Sequence, residues 1–251
     1  MAKNIFMGFY LNMEIRLQPQ RQNFTSRLNP IKPFKIRTQY GPLTFAEPTL
    51  SQLRDKSFLR NLTKFFCDNF ASKTEEPGWL VYKDPKNSHI AATILETCLT
   101  HYKSKLLNPK GDLTLLVAKD KFNNIQGACL AYGYDEVPNA EKTVYYIDSI
   151  AVNPRFRGHN IGKILLNKSI NSIQNKFSDI FLVAENMALG FYNKLGFDHL
   201  NSNCADQKVV IDFLAKDHLC FPKYVSFLTK FLQIDRPRWY VETAKAIKNL
   251  D

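Results

Sequence analysis

The chain has 251 residues, of which 45% are hydrophobic and 23% charged, values typical of a folded globular protein. Its apolar runs are all shorter than the roughly 20 residues that a membrane-spanning helix needs, and its cysteines and histidines lack metal-ligand spacing. These features argue against a membrane protein, a disordered chain and a metal-binding module. We therefore expect a cytoplasmic protein that has reduced thiols and no metal.

The net charge of +11 is concentrated at the two ends of the chain: residues 1–40 carry seven basic residues and one acidic residue, and residues 216–251 carry seven basic and four acidic residues. Basic ends of this kind suit an acidic partner, such as nucleic acid, a ribosome or a membrane surface. A solvated surface explains the same excess without a partner and is the preferred interpretation.

Patterning along the first half of the chain predicts one strand and two helices after an irregular segment at residues 1–33. The strand covers residues 34–40 and is ended by Gly41-Pro42. The first helix is capped by Thr49 or Ser51 and runs to about Phe70, and the second begins near Asn87 or Ser88 and runs to about Leu107.

The second half predicts a strand-rich block followed by alternating helices and strands. Strands are predicted at 113–118, 125–134, 144–152, 180–184 and 209–214, and helices at 162–176 and 187–195, the latter stopped by Gly196. The tail is predicted to be helical, with the aromatic residues Phe227, Phe231, Trp239 and Tyr240. This order of elements favours an α+β (mixed α/β) layer fold.

A strand, a Pro-containing turn and a basic glycine-containing loop lead directly into the predicted helix at 162–176. The loop reads Arg157-Gly-His-Asn-Ile-Gly-Lys163. Successive N–H groups at a helix start attract an anion, and glycines allow a phosphate to approach the backbone closely. The spacing of Gly158 and Gly162 matches neither an NTP-binding P-loop nor a dinucleotide fingerprint. An ordinary helix-entry loop is the other interpretation of these residues.

The segment from Arg157 to Gly162 resembles the pyrophosphate loop of the GNAT superfamily of N-acetyltransferases, and 186–197 resembles the second motif of that superfamily, ending in Tyr-x-x-x-Gly-Phe. The two motifs stand in the order and spacing of the superfamily. The resemblance covers roughly residues 34–216, with extensions at 1–33 and 217–251. It implies a central, mixed, mostly antiparallel sheet flanked by helices.

The resemblance also implies an enzyme that moves an acetyl group from acetyl-CoA, its co-substrate, to an amine acceptor by direct attack in a ternary complex. It places the pantetheine arm on the main chain of three strand residues and the pyrophosphate on the loop. The cofactor-binding residues implied are Ile150, Ala151, Val152, Arg157, Gly158, His159, Asn160, Ile161, Gly162, Lys163 and Asn186. Asn160 replaces the usual glycine, and asparagine is the non-glycine residue that best tolerates left-handed backbone angles.

Two residues are implied to act in catalysis. Tyr192 matches the tyrosine that donates a proton to the leaving thiolate, although it could instead be a core aromatic residue. Asp148 is the candidate general base, because strand alternation places Asp148 on the same face as Ile150 and Val152. Glu185 is the reserve candidate. A buried structural carboxylate is the alternative for Asp148. The histidines His89, His101, His199 and His218 have no visible partners for a catalytic triad.

A non-catalytic acyl-CoA-binding or scaffold module remains the alternative function. The sequence leaves the acceptor amine open, as it does the choice between a monomer and a homodimer.

Overall fold

The computed structural model describes residues 30–71, 82–107, 112–137, 142–172, 179–184, 188–199 and 238–243, and all structural statements below concern these residues. The predicted strand at 209–214, Phe227, Phe231, Glu185, Asn186 and the end of the predicted helix at 162–176 lie outside them.

One mixed sheet organises the described part of the chain. Its strands run in the order β1-β2-β3-β4-β5-β6-β8-β7, and the β5–β6 pair is parallel whereas the other neighbouring pairs are antiparallel. The predicted mixed, mostly antiparallel sheet is therefore confirmed. The strands are β1 (Phe34–Thr38), β2 (Gly41–Ala46), β3 (Leu113–Lys119), β4 (Ile125–Val137), β5 (Lys142–Val152), β6 (Asp179–Ala184), β7 (Asp198–His199) and β8 (Arg238–Thr243).

Five α-helices flank this sheet in the described ranges. They are α1 (Leu50–Arg54), α2 (Lys56–Ala71), α3 (Ser88–Leu107), α4 (Ile161–Asn171) and α5 (Leu189–Lys194). The helix predicted up to Leu107 is confirmed as α3. Gly196 ends the segment after α5 with a φ of 91°, as a glycine following a helix does.

The first predicted helix is interrupted, so it forms two helices. Thr49 begins α1 with a capping box, in which its hydroxyl accepts from the N–H of Gln52 and the Gln52 side chain accepts from the N–H of Thr49. Asp55 then adopts an extended conformation, and its carboxylate accepts from the N–H of Ser57 at 2.9 Å. Asp55 thus ends α1 and caps α2, a role that apolar periodicity does not reveal.

Gly41-Pro42 begins a second strand rather than only ending the first. Gly41 has a φ of 108°, which glycine adopts without steric cost, and it turns the chain back so that β2 pairs with β1. Pro42 lies ahead of residues 44–46, where β2 pairs with β3, so its missing N–H does not interrupt that ladder.

The predicted helical conformation of Trp239 and Tyr240 is wrong, because both lie in strand β8. This strand pairs with β6 on one side and with β7 on the other. Aromatic and β-branched residues favour strands, and a distant partner strand was needed to select that conformation here.

Two apolar clusters lie on opposite faces of the sheet. We call the cluster beside α2 and α3 the front core; its members include Leu62, Phe66, Leu106, Leu115 and Leu130. The cluster beside α4 and α5 is the back core; its members include Phe45, Leu116, Tyr145, Leu165 and Phe197. Neighbouring residues of β3 alternate between the two, as the period of a strand requires. Burial of each such side chain stabilises the fold by roughly 1.5–3 kcal/mol.

Candidate functional site

The sheet opens between β5 and β6 where the pairing of these two strands ends. The parallel pairing of these strands ends at Ile147 and Leu182. Beyond that point β5 runs on to Val152 with β4 as its partner, while β6 pairs with β8 as far as Ala184. The main chain of Ile150, Ala151 and Val152 therefore lies at an opening in the sheet, on the side from which β6 has departed.

A β-bulge at Asp148 sets which way the side chains point around this opening. Leu130 pairs with Ser149 and Ala131 pairs with Ile147, so Asp148 is an extra residue in β5. One extra residue reverses the alternation that follows it.

The reversal corrects the predicted placement of Asp148. Tyr146 before the bulge and Ala151 after it both belong to the front core, whereas Ile150 and Val152 pack against the back core. Asp148 is bonded to front-core residues of α3 and β4. The prediction that it shares a face with Ile150 and Val152 is therefore wrong.

Asp148 is the centre of a buried hydrogen-bond network. Its Oδ1 accepts from the Tyr132 hydroxyl at 2.7 Å and lies 2.9 Å from His101 Nε2. Its Oδ2 accepts from the Ser149 hydroxyl at 2.9 Å, and Ser149 Oγ lies 2.8 Å from the Tyr102 hydroxyl. The side chains of His101 and Asp148 are only 5% and 6% exposed. The sequence shows no triad partner for His101, and the structure pairs it with Asp148.

The phenols of this network stay protonated at neutral pH. Burial raises the pKa of Tyr132 and of Tyr102 well above the usual value, and the neighbouring charge of Asp148 raises it further. The pKa of Tyr146 is likewise raised by burial, then by the charge of Asp148.

The loop from Asn153 to Asn160 carries the chain from β5 into α4. Pro154–Phe156 form a short 3-10 turn, capped by Asn153, that buries Phe156. Gly158 and Asn160 then take left-handed angles, with φ of 81° and 60°. Asn160 therefore adopts the left-handed conformation that asparagine is expected to tolerate at this position.

The start of α4 presents main-chain N–H groups to this loop. The first N–H bonded within the helix is that of Ile164, which donates to Asn160 O at 2.9 Å. The preceding N–H groups, those of Ile161, Gly162 and Lys163, have no carbonyl partner within the helix. A Cβ added to Gly162 would lie 3.3 Å from Phe191 and 3.7 Å from Val152. Glycine here lets the first turn of α4 approach both β5 and α5.

Arg157 contacts protein carbonyl groups. Its Nε donates to Val152 O at 3.0 Å, and its Nη2 donates to Asn69 O at 3.2 Å. Its N–H donates to Pro154 O at 3.3 Å. Arg157 thus ties the loop to the end of β5 and to α2.

The turn between β1 and β2 packs on the same loop, a contact that sequence reasoning missed. The Tyr40 ring meets Phe156 edge-on at 5.3 Å and His159 at 5.8 Å, and the Arg155 guanidinium lies 4.4 Å from the Tyr40 ring centre. Gln39 Nε2 lies 3.2 Å from His159 Nε2. His159 is therefore held on the outside of the loop by the hairpin.

Tyr192 lies on α5 and is 5% exposed, within the back core. Its ring packs edge-on against Phe191 at 5.1 Å and against Phe197 at 5.6 Å. The N–H groups of Leu195 and Phe197 both donate to Tyr192 O, which fixes the turn around Gly196.

An open cleft of about 390 Å³ lies between the end of α2 and the start of α3. Asp68 and Tyr82 line it, and the Tyr82 hydroxyl donates to Asp68 Oδ1 at 2.9 Å. Its other lining residues are Ala71, Lys83, Ala91, Ala92 and Leu95.

His101 and Tyr132 are the site residues that sequence reasoning did not find. A helical signal for His101 was present, since Ile94 and Cys98 precede it at intervals of one turn on the buried face of α3. A buried imidazole requires a polar partner. The identity of that partner, on a strand 47 residues later in the chain, had no local signal.

Two classes of feature do not occur in the part of the chain that the structure describes. None of its helices is long and apolar enough to cross a membrane. No three side chains of His, Cys, Asp or Glu converge there as metal ligands.

Comparison with known proteins gives a family match. Residues 79–197 match the model of the acetyltransferase (GNAT) family. The chain is similar to a solved GNAT-family acetyltransferase from Staphylococcus aureus Mu50, with 17% identity over 80% of this chain and 98% of that chain and a TM-score of 0.48. It is also similar to PaiA N-acetyltransferase from Thermoplasma acidophilum, solved in complex with coenzyme A, with 14% identity over 64% of this chain and 92% of that chain and a TM-score of 0.44. A third similar structure is GCN5 from Tetrahymena, with 16% identity over 61% of this chain and 77% of that chain and a TM-score of 0.38.

No curated protein matches the chain significantly. The family match covers the opened strand β5, the loop before α4 and the helix that carries Tyr192. Over residues 79–197, the protein therefore carries an acetyltransferase domain of the GNAT family.

Proposed function

We propose that this protein transfers an acetyl group from acetyl-CoA to a primary amine, by direct attack of the amine in a ternary complex. The opening of the sheet beyond Ile147 and Leu182 is the observation that carries the proposal. It leaves the main chain of β5 accessible immediately before a loop suited to an anion, so a thioester and a pyrophosphate can be held by one continuous segment.

The residues of this segment fit acetyl-CoA. The N–H groups of Ile161, Gly162 and Lys163 are oriented by the helix start, and the left-handed angles of Gly158 and Asn160 shape the loop around them. The Gly158 position has open space where a side chain would stand. In the proposal these groups bind the pyrophosphate, while Arg157 braces the loop and His159 stands at its outer side.

The reaction forms one C–N bond and breaks one C–S bond. The amine nitrogen attacks the thioester carbonyl carbon, and a main-chain N–H at Val152 or its neighbour stabilises the negative charge on the carbonyl oxygen. The nitrogen gives up one proton, and the departing sulfur takes one. Acetyl-CoA supplies the activated acyl group, and the protein supplies placement and proton transfer.

Asp148 and Tyr192 are the proposed proton acceptor and donor. Asp148 takes the amine proton through a water molecule, and Tyr192 gives a proton to the CoA sulfur. Asp148 lies on the front face of β5 and Tyr192 in the back core, so in the proposal the thioester occupies the opening of the sheet between them. In the proposal the acceptor enters from the front side, where the cleft beside Asp68 lies between α2 and α3.

The proposal is tested by calorimetric binding of acetyl-CoA and by CoA release with a panel of amines, with mass spectrometry of the products. The panel contains protein N-termini, lysine peptides, polyamines and aminoglycosides. Tyr192→Phe is expected to lower kcat about 10²–10⁴-fold without weakening acetyl-CoA binding. Tyr134→Phe is the matched control, because it removes a phenol with the same 5% exposure from the front core.

Absence of acetyl-CoA binding at millimolar ligand would refute the proposed function. Binding without CoA release across the whole panel would support the alternative, a non-catalytic acyl-CoA-binding module.

A further inference from the structure

The proposed function leaves open how Asp148 remains a base inside the protein, and the network around it answers this. A carboxylate that is 6% exposed is costly to ionise unless donors surround it. Asp148 meets donors from three elements, namely His101 on α3, Tyr132 on β4 and its own neighbour Ser149 on β5. Each of these bonds favours the charged form.

The direction of the His101 bond follows from chemistry. An ionised carboxylate only accepts hydrogen bonds, so the nearby Nε2 of His101 carries a proton and donates it. The imidazole is fixed by its 5% exposure and by an edge-on contact with the Tyr102 ring at 5.4 Å. Because the Asp148 side chain belongs to the bulged residue of β5, the same bond also fixes the bulge that lies just before the thioester-binding main chain.

Resting on the proposed function, we propose that His101 is a positioning residue that holds Asp148 ionised and oriented to take the proton of the acceptor amine. It acts through Asp148 and does not itself contact the substrate. The β-bulge makes this possible, because it turns Asp148 toward α3 while leaving the main chain of Ile150 to Val152 at the opening of the sheet.

Other titratable and charged groups lie near His101 and Asp148, so the experiment must distinguish their effects from those of this pair. They are Cys67 on α2; Cys98, Tyr102 and Lys105 on α3; Tyr132 and Tyr134 on β4; and Tyr146 on β5, while Cys129 of β4 lies in the back core on the opposite face. Burial raises the pKa of Cys129 to about 12 and that of the phenols Tyr102, Tyr132 and Tyr146 well above its usual value. A hydrogen bond from Cys67 lowers the pKa of Cys98, which burial opposes and His101 assists, so Cys98 needs its own control.

The experiment measures kcat/KM against pH for the full chain with one acceptor amine throughout, so that ionisation of the amine cancels in each ratio of variant to wild type. His101→Phe removes the donor and keeps a ring. The acid limb of the profile is expected to move to higher pH by about one unit, with the KM for acetyl-CoA unchanged. The sign follows because a carboxylate that loses a donor must reach a higher pH to ionise.

Three further variants sharpen the test. His101→Gln keeps an N–H donor and is expected to return the limb toward its wild-type position. Tyr132→Phe removes a second donor to the same oxygen and is expected to move the limb in the same direction, which provides a measurement if His101→Phe does not fold. Cys98→Ala is expected to leave the limb in place.

The inference would be overturned if His101→Phe and Tyr132→Phe lowered kcat/KM equally at every pH without moving the acid limb, because such a loss indicates a structural role. An equal shift in Cys98→Ala would overturn it as well. In both cases CoA release by the wild type would leave the proposed function standing, whereas wild type without CoA release would remove the proposed function itself.

Discussion

Asn160 is where the backbone conformation of the loop and its capacity to bind an anion can be tested together. Asn160 has φ 60° and ψ 7°, directly before α4, and its side chain makes no capping hydrogen bond. Substitution by alanine therefore changes the preference for the left-handed conformation without removing a bond. Substitution by glycine gives the residue that is usual at this position in the superfamily that the loop resembles.

The expected magnitude follows from the cost of left-handed angles. The left-handed conformation costs a residue with a Cβ roughly 1–2 kcal/mol, and the cost is smaller for asparagine than for alanine. Asn160→Ala should therefore cost about 1 kcal/mol. If the loop keeps its shape, this cost lowers the free energy of unfolding, with a Tm decrease of about 2–4 °C. If the loop relaxes, binding must restore the conformation, and the Kd for acetyl-CoA rises about fivefold.

The assay is urea unfolding together with calorimetric titration of acetyl-CoA. Asn160→Gly should stay within about 0.5 kcal/mol of wild type in stability and bind acetyl-CoA at least as tightly. Asn123→Ala is the matched control, because Asn123 has φ 69° in the turn between β3 and β4 and is not one of the proposed cofactor-binding residues. It should lose a similar stability with an unchanged Kd. Wild-type stability and wild-type affinity together in Asn160→Ala would refute the reasoning.

Further predictions concern packing and capping. A Cβ at Gly127 would lie 3.0 Å from Leu165 in the back core, so Gly127→Ala should destabilise the protein by about 1 kcal/mol and weaken acetyl-CoA binding by displacing α4, as unfolding and titration would reveal. Gly190 on α5 has open space around it, and Gly190→Ala should instead stabilise by about 0.5–1 kcal/mol. Thr49→Ala should cost about 1 kcal/mol in urea unfolding through loss of the capping box, whereas the exposed Thr93→Ala should change little. Equal effects of Gly127→Ala and Gly190→Ala, or of Thr49→Ala and Thr93→Ala, would contradict these assignments.

Much of the fold could be predicted because its signals are local. The helical spacing of Ile94 and Cys98 predicts α3, and apolar runs bounded by polar turns predict β3 to β6. Gly158, Asn160 and the helix that follows them indicate an anion-binding loop before any contact is known. The predictions failed where a partner distant in sequence decides, as for Trp239 and Tyr240 in β8.

The sequence by itself determined most helices and strands between residues 50 and 195 and the loop from Arg157 to Lys163, since propensity, periodicity and backbone preference act within a few residues. The candidacy of Tyr192 came from the resemblance of its motif to that of the superfamily. Only the tertiary structure decided the surroundings of Asp148. A single extra residue in β5 reverses the alternation of side chains, and pairing with β4 fixes where that residue falls. The bulge turns Asp148 toward His101 on α3, a neighbour whose separation of 47 residues in the chain conceals it from any local pattern.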